Sequence, residues 1–300
     1  MEKRITPKEY DYFGRQRIIE ALCREYTFIK KTVIGKSCGG KEITALKIGA
    51  APQYSLIAAA FHGSERITST VLLMFIQELC DAIKNDGYIA GLRASRAMRG
   101  RGVIFIPCVN PDGCDISLLG AKACGSCSAE ISRLCKNNFT HWNANLRGVD
   151  INHNFDAGWQ ELRERERKEG IYGPSPTRFG GYKPESEPET TALTELCRTS
   201  YIRHVTALHT QGEVIYWSYG AKQPQRSRKM AEIMATSSGY ALDVPTPIAT
   251  GGGFKDWFIE EFSRPGFTIE MGLGENPLPA EDALKIYHRT REMLALITIM

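Results

Sequence analysis

The sequence predicts an α/β fold built on a largely buried, mixed or parallel sheet. Three observations carry that prediction. Short runs rich in apolar residues alternate with longer amphipathic segments from one end of the chain to the other. The runs at 55–60, 102–109, 203–208 and 267–269 read as core strands rather than half-exposed ones. The chain has 300 residues with 42% hydrophobic content, enough to bury a sizeable core. No repeat, low-complexity linker or domain boundary interrupts this pattern, so residues 1–300 read as a single domain.

The elements follow in order. Residues 8–26 carry apolar side chains at intervals of three and four and predict a helix. Segments 32–35 and 42–49 read as two strands joined through Cys38-Gly39-Gly40. The 55–61 strand runs into His62-Gly63-Ser64-Glu65, and an amphipathic helix is expected from about Thr68 or Ser69 to Asn85. Strand 102–109 ends at Asn110-Pro111-Asp112-Gly113, a turn signal. Residues 114–141 form a cysteine-containing insert with Cys114, Cys124, Cys127 and Cys135, read as loop cysteines in preference to a metal cluster. Residues 142–156 read as a short polar strand, and 160–170 as a charged, solvated loop or helix. A helix to about Thr199 is expected to start with Ser186 as its N-cap and Glu187 and Glu189 in its first turn. Strand 203–208 ends at His209. Strand character resumes at 215–217, a helix spans 225–238, and a Pro/Gly/Thr loop covers 245–253. Strand 267–269 ends at Glu270, and an amphipathic helix at 280–298 closes the chain.

Composition excludes several classes of function. The net charge of +4 is spread over interspersed signs, which argues against nucleic acid as the main partner. No apolar stretch approaches membrane-spanning length, and the N-terminal residues lack the apolar core of an export signal. Nine scattered cysteines, an odd number, point to a reduced cytoplasmic setting. Nothing in the sequence addresses the oligomeric state.

The chemistry is concentrated at strand exits. One apolar run delivers His62 and Glu65, a second His209, a third Glu270. In open α/β sheets the ligand lies beyond the carboxyl ends of the strands, so parallel neighbours would bring all four together. Two histidines and a glutamate form a three-ligand zinc site with a position left for water, the catalytic form. A further carboxylate, Glu270, is placed to move protons between water and a leaving amine.

The order of motifs resembles the zinc carboxypeptidases of the M14 type. The resemblance rests on His62-x-x-Glu65, Asn110-Pro-Asp-Gly113, Gly148-Val-Asp-Ile-Asn-His-Asn-Phe155, Ser186-Glu-Pro-Glu-Thr190, a strand ending in His209 and one ending in Glu270, over about residues 40–275. It implies a single domain with a mixed, largely parallel eight-stranded sheet between helices. It also implies one zinc ion per chain on His62, Glu65 and His209, with Glu270 as general acid/base.

Departures from the family pattern bear on substrate. The family arginine that grips a terminal carboxylate is replaced here by His153, after Asn152; Asn143 follows Trp142 where a second arginine is common, with Arg147 nearby; and the substrate-capping tyrosine falls at Ile248. Trp142-x-Ala-Asn145, His153-Asn-Phe-Asp-Ala-Gly-Trp159, His209-Thr-Gln-Gly-Glu213 and Gly274-x-Asn-Pro-Leu-Pro279 are similar to a bacterial branch of γ-D-glutamyl-meso-diaminopimelate peptidases. The expected partner is therefore a peptide, a muropeptide. Asn143, Arg147, Asn152, His153, Thr210, Gln211 and Glu213 are the expected substrate-binding residues. Arg147, Asn152 and His153 are suited to a carboxylate, the last more strongly when protonated. Glu213 is suited to an ammonium, or to a surface ion pair. The alternatives are a metallocarboxypeptidase or N-acyl amino acid amidohydrolase of other specificity, and a binding protein that has lost catalysis.

Overall fold

The structure, a computed structural model, describes residues 5–300. It opens with α1 (Tyr12–Glu25), four residues later than its periodicity suggests, because the Asp11 side chain accepts from the Gly14 N–H and sets the N-cap there. The chain continues through β1 (Lys30–Lys36), β2 (Glu42–Ile48), β3 (Tyr54–Ala59), α2 (Ile67–Lys84), β4 (Gly102–Ile106), α3 (Pro111–Leu119) and α4 (Ser128–Leu134). Then come α5 (Trp159–Lys168), α6 (Pro188–Thr199), β5 (Ile202–His209), β6 (Val214–Tyr216), α7 (Ser227–Ser238) and β7 (Ala241–Asp243). The last three are α8 (Phe254–Phe262), β8 (Gly266–Glu270) and α9 (Asp282–Ile299).

The eight strands form one mixed sheet in the order β1-β2-β4-β3-β5-β8-β6-β7. The four central strands, β4, β3, β5 and β8, are parallel. The flanks turn antiparallel at β2 against β4 and at β6 against β8. Parallel neighbours need crossovers, and these place helices on both faces. On β3, Ile57 and Ala59 pack under α1, α2, α7 and α9, while Leu56 and Ala58 pack under α6 and α8. That is the two-residue alternation of a strand buried on both sides. Among the described residues no helix is long and apolar enough to cross a membrane.

Three expectations are corrected, and one further helix is found. Asn110-Pro111 does not form a free turn. Asn110 caps α3, accepting from the Gly113 N–H at 2.8 Å, with Pro111 at the first helical position. Residues 142–156 form no strand; their one regular piece is a single 3-10 turn, Ile151–His153. Backbone groups there are satisfied from elsewhere, as where Asn145 Oδ1 accepts from the Arg147 and Val149 N–H groups. Ser186 does not cap α6: Glu187 holds that position, and the Ser186 hydroxyl accepts from Asn154 Nδ2 at 3.0 Å. Helix α8 went unread. Its Phe254, Trp257 and Phe258 are fully buried and pack with Phe155, so truncation of Trp257 to alanine should cost about 3–5 kcal/mol. In the 114–141 insert the cysteines are free thiols, and Cys124 and Cys135 pack in a small core with Trp142.

Candidate active site

Three neighbouring parallel strands deliver the site. Beyond β3 the chain turns sharply at Ala60, at a φ of 55°, and the Ala60 N–H is held by Thr68 Oγ1 at 2.9 Å. A single 3-10 turn, Gly63–Glu65, then puts His62 and Glu65 on the same side. Glycine is required at 63: a Cβ there would lie 2.3 Å from both Gly113 O and Trp142 O. On β5 and β8, His209 and Glu270 are register partners, so both side chains leave the sheet on one face.

The groups converge around Glu65. Its Oε1 lies 2.9 Å from His62 Nδ1 and its Oε2 lies 2.9 Å from His209 Nδ1. His62 Nε2 is 3.0 Å from Asp150 Oδ1, a residue sequence reasoning quoted within a motif without giving it a role. His209 stacks on Phe61 with ring centroids 5.1 Å apart; its Nε2 is buried without a hydrogen-bond partner among the described residues.

Charge dominates here. Burial opposes ionisation of Glu65, but His62 and His209 outweigh it and hold the carboxyl down at about 2. Burial likewise opposes ionisation of Asp150, and His62 and then His153 hold it well below the usual carboxylate range. Burial works against a charged His62, yet Glu65 and Asp150 raise its pKa well above an ordinary imidazole's. Glu270 is the reverse case: burial and the Glu65 charge push its carboxyl up to about 8, partly offset by His62.

The site fits zinc. Its candidate ligand atoms lie within 4.8 Å of one another, and imidazole nitrogen with carboxylate oxygen is a donor set zinc takes. Asp150 on Nε2 leaves His62 Nδ1 facing the site, the carboxylate–imidazole order that orients metal-binding histidines. The converging ligands number three, which leaves a position for water and substrate.

The expected substrate-binding residues divide. Asn143 stands beside the catalytic turn: its Oδ1 accepts from the Ser64 hydroxyl at 2.5 Å and the Ser64 N–H at 3.3 Å. The backbone N–H can only donate, which fixes the amide orientation and leaves Nδ2 as the donor to offer. Asn152 Oδ1 accepts from the Phe254 N–H at 3.0 Å, and its Nδ2 has no partner among the described residues. His153 Nδ1 sits 2.7 Å from Oε1 of the fully buried Glu166, whose other oxygen pairs with Arg163. Burial, with His62 and Arg178, lowers the His153 pKa, against the pull of Asp150. Thr210 gives its hydroxyl to Asn276 Oδ1 at 2.7 Å, and the Thr210–Gln211 peptide is cis. Gln211 is exposed. Glu213 lies 3.9 Å from Arg289, a surface ion pair. Arg147 is exposed and faces Glu187 at 3.6 Å.

A second trio, Cys38, Glu187 and Glu189, also keeps its ligand atoms within 4.8 Å. Asn145 Nδ2 fills its middle, at 2.7 Å from Glu187, 3.2 Å from Glu189 and 3.2 Å from Cys38 Sγ. The acids read as capping groups are thus buried around an amide.

Known proteins resemble this chain in sequence and in fold. The chain is 34% identical over 285 residues to the gamma-D-glutamyl-L-diamino acid endopeptidase 1 of Lysinibacillus sphaericus, a match covering 93% of this chain and 70% of that protein. It is 34% identical over 291 residues to the YqgT protein of Bacillus subtilis strain 168, covering 96% of this chain and 76% of that one. Its fold is that of thrombin activatable fibrinolysis inhibitor, with a TM-score of 0.77 at 18% identity over 99% of this chain and 76% of that one. The M14 peptidase family model, described as zinc carboxypeptidase, matches residues 16–293. The chain belongs to the M14 family of zinc carboxypeptidases, and it is a metallopeptidase by descent.

Proposed function

We propose that this protein hydrolyses the γ-D-glutamyl–diaminopimelate bond of peptidoglycan peptides, with zinc on His62, Glu65 and His209 and Glu270 as general acid/base. The observation that carries the reading is the register of Glu270 beside His209, which sets a raised-pKa carboxylate next to the three-ligand group. A zinc ion held by His62, Glu65 and His209 would supply the Lewis acidity that polarises a scissile carbonyl and acidifies water.

The residues of the chain do the rest. Glu270 takes the proton of the attacking water and returns it to the leaving amine, a role suited to a carboxyl whose pKa lies near neutrality. Asn143 Nδ2, aimed by Ser64, donates to the oxygen on which charge develops. Asp150 keeps His62 in one tautomer. Asn152 Nδ2 offers a further donor to substrate.

Two observations support the substrate class. The Lysinibacillus relative is named for a γ-D-glutamyl–L-diamino acid bond, the wider class that includes the proposed one. His153, where the family has a carboxylate-gripping arginine, is tied through Nδ1 to buried Glu166, and burial disfavours its charged form, so it does not replace the arginine clamp of ordinary carboxypeptidases. A cytoplasmic setting, with released muropeptides as substrate, accords with nine free thiols.

The test is hydrolysis of L-Ala-γ-D-Glu-meso-diaminopimelate by wild type and Glu270→Ala, with products read by mass spectrometry and zinc assayed on both. Free diaminopimelate from wild type alone, with zinc on both, is the expected result. Zinc without cleavage in the wild type would overturn the substrate class and keep the metal centre.

A further inference from the structure

A second group of reactive side chains lies behind the catalytic turn. Cys108 follows β4, Cys114 lies in α3, and their Sγ atoms are 3.8 Å apart. Cys114 is fully buried; Cys108 is half-buried and borders a narrow cleft with Tyr12, Arg15 and Pro111. Arg15 is 3% exposed, and its guanidinium donates to Tyr10 O at 2.5 Å and to Asp115 Oδ1 at 3.0 Å. Lys41 Nζ holds the other Asp115 oxygen at 2.8 Å. The carboxylate nearest the pair is therefore committed to two cations.

We propose that Cys108 and Cys114 form a peroxide-responsive dithiol site, with Cys108 the attacking sulfur and Cys114 the resolving one. The Cys108 thiolate attacks one peroxide oxygen; the O–O bond breaks, a sulfenic acid forms, and the released hydroxide leaves as water after taking a proton. The Cys114 sulfur gives up its proton and attacks the Cys108 sulfur; the S–S bond forms, the S–O bond breaks, and a second water leaves. The two thiols together lose two electrons, which the peroxide gains. The sulfurs must close from 3.8 Å to about 2.05 Å, so neighbouring backbone moves with them.

The environment supports this division of roles. Burial opposes ionisation of Cys108, but the contact with Cys114 and the Arg15 charge outweigh it and lower its pKa. The same contact, with burial, raises that of Cys114. Two other half-buried thiols are poorly placed: burial raises Cys23, and burial with Glu189 and Glu187 raises Cys38.

The pair is also coupled to catalysis. Asn110 lies between the two cysteines in the chain. Its side-chain N–H groups reach Phe61 O at 3.0 Å and Asn143 O and Ala144 O at 3.1 Å. Phe61 precedes His62, and Asn143 is the proposed oxyanion donor. Closing the disulfide pulls on that joint, and turnover falls.

The test treats the zinc-loaded protein with hydrogen peroxide, blocks remaining thiols and maps each cysteine by mass spectrometry. The expected first product is a Cys108–Cys114 disulfide, formed about tenfold faster than any other cysteine is modified, as thiolate character dictates. Dithiothreitol reverses it, and turnover falls and recovers in step. In Cys114→Ser, Cys108 stops at a sulfenic acid that dimedone traps; in Cys108→Ser, Cys114 stays reduced. Oxidation of Cys23 or Cys38 at an equal rate, or a reduced pair after the others have reacted, would overturn the site. A disulfide with unchanged turnover would overturn its coupling to catalysis.

Discussion

Two trios of potential metal ligands occur among the described residues, and only one is built as a metal centre. His62, Glu65 and His209 gather at the exits of parallel strands; Cys38, Glu187 and Glu189 gather between the β1–β2 turn and the start of α6. Both satisfy the same distance criterion. They differ in what occupies the middle. In the first trio, among the described residues, no side-chain amide lies between the ligands; the Thr210 backbone N–H reaches Glu65 Oε2 at 3.4 Å, and Asp150 fixes one histidine from behind. In the second, the Asn145 amide donates into the centre, and Cys38 Sγ faces two carboxylates that, with burial, raise its pKa far above an ordinary thiol's. A cation entering there would have to break those hydrogen bonds and deprotonate that thiol. Ligand proximity is thus a weak criterion; satisfaction of the same atoms by other partners is the stronger one.

The comparison can be broken most severely at the catalytic end. Glu270→Gln should lower kcat by about 10²–10⁴-fold, the range for loss of a general acid/base, while zinc stays at one per chain. Steady-state kinetics with metal analysis checks both. His209→Ala should lose zinc and activity together, whereas Cys38→Ser should keep the zinc content of wild type, measured by plasma mass spectrometry after dialysis. A chelated Cys38→Ser protein that fails to rebind zinc would contradict this. Asp150→Asn should weaken zinc affinity about 10–100-fold, read by competition with a chromophoric chelator. Asn145→Ala should leave metal affinity unchanged and lower stability by about 1–3 kcal/mol, because buried acceptors lose their donor. Urea denaturation reads that.

Proton linkage sharpens the same contrast. Glu65 and Asp150 favour the protonated form of His62 against its burial, and zinc must compete with that proton. Zinc binding should release protons at pH 7, visible by calorimetry in buffers of different ionisation enthalpy. Activity needs ionised Glu270 and should fall as pH drops through its pKa. Burial and Glu65 set that pKa at about 8, and a bound dication lowers it, so the acid limb of kcat/KM should lie below pH 8. Glu270→Gln should abolish the limb.

Much of the first trio was legible in the sequence. His62, Glu65, His209 and Glu270 each terminate an apolar run, and strand exits are where open sheets bind ligands. The eight-stranded sheet followed from the family resemblance. The second trio was hidden, because Glu187 and Glu189 carry the same signature as acids capping a helix. Asp150 was hidden because its contact to His62 spans 88 positions. Helix α8 lacked a start signal: Gly253 stands at its N-cap without a side-chain bond, after a loop rich in glycine. His153 and Thr210 were read as facing substrate, and their partners Glu166 and Asn276 lie too far along the chain for periodicity to pair them.

The most direct test is anomalous diffraction at the zinc edge, on crystals grown with two equivalents of zinc. A single strong peak coordinated by His62 Nδ1, Glu65 and His209 Nδ1, beside Glu270, with none at Cys38, is the predicted result. A peak among Cys38, Glu187 and Glu189, with none at the strand exits, would contradict it.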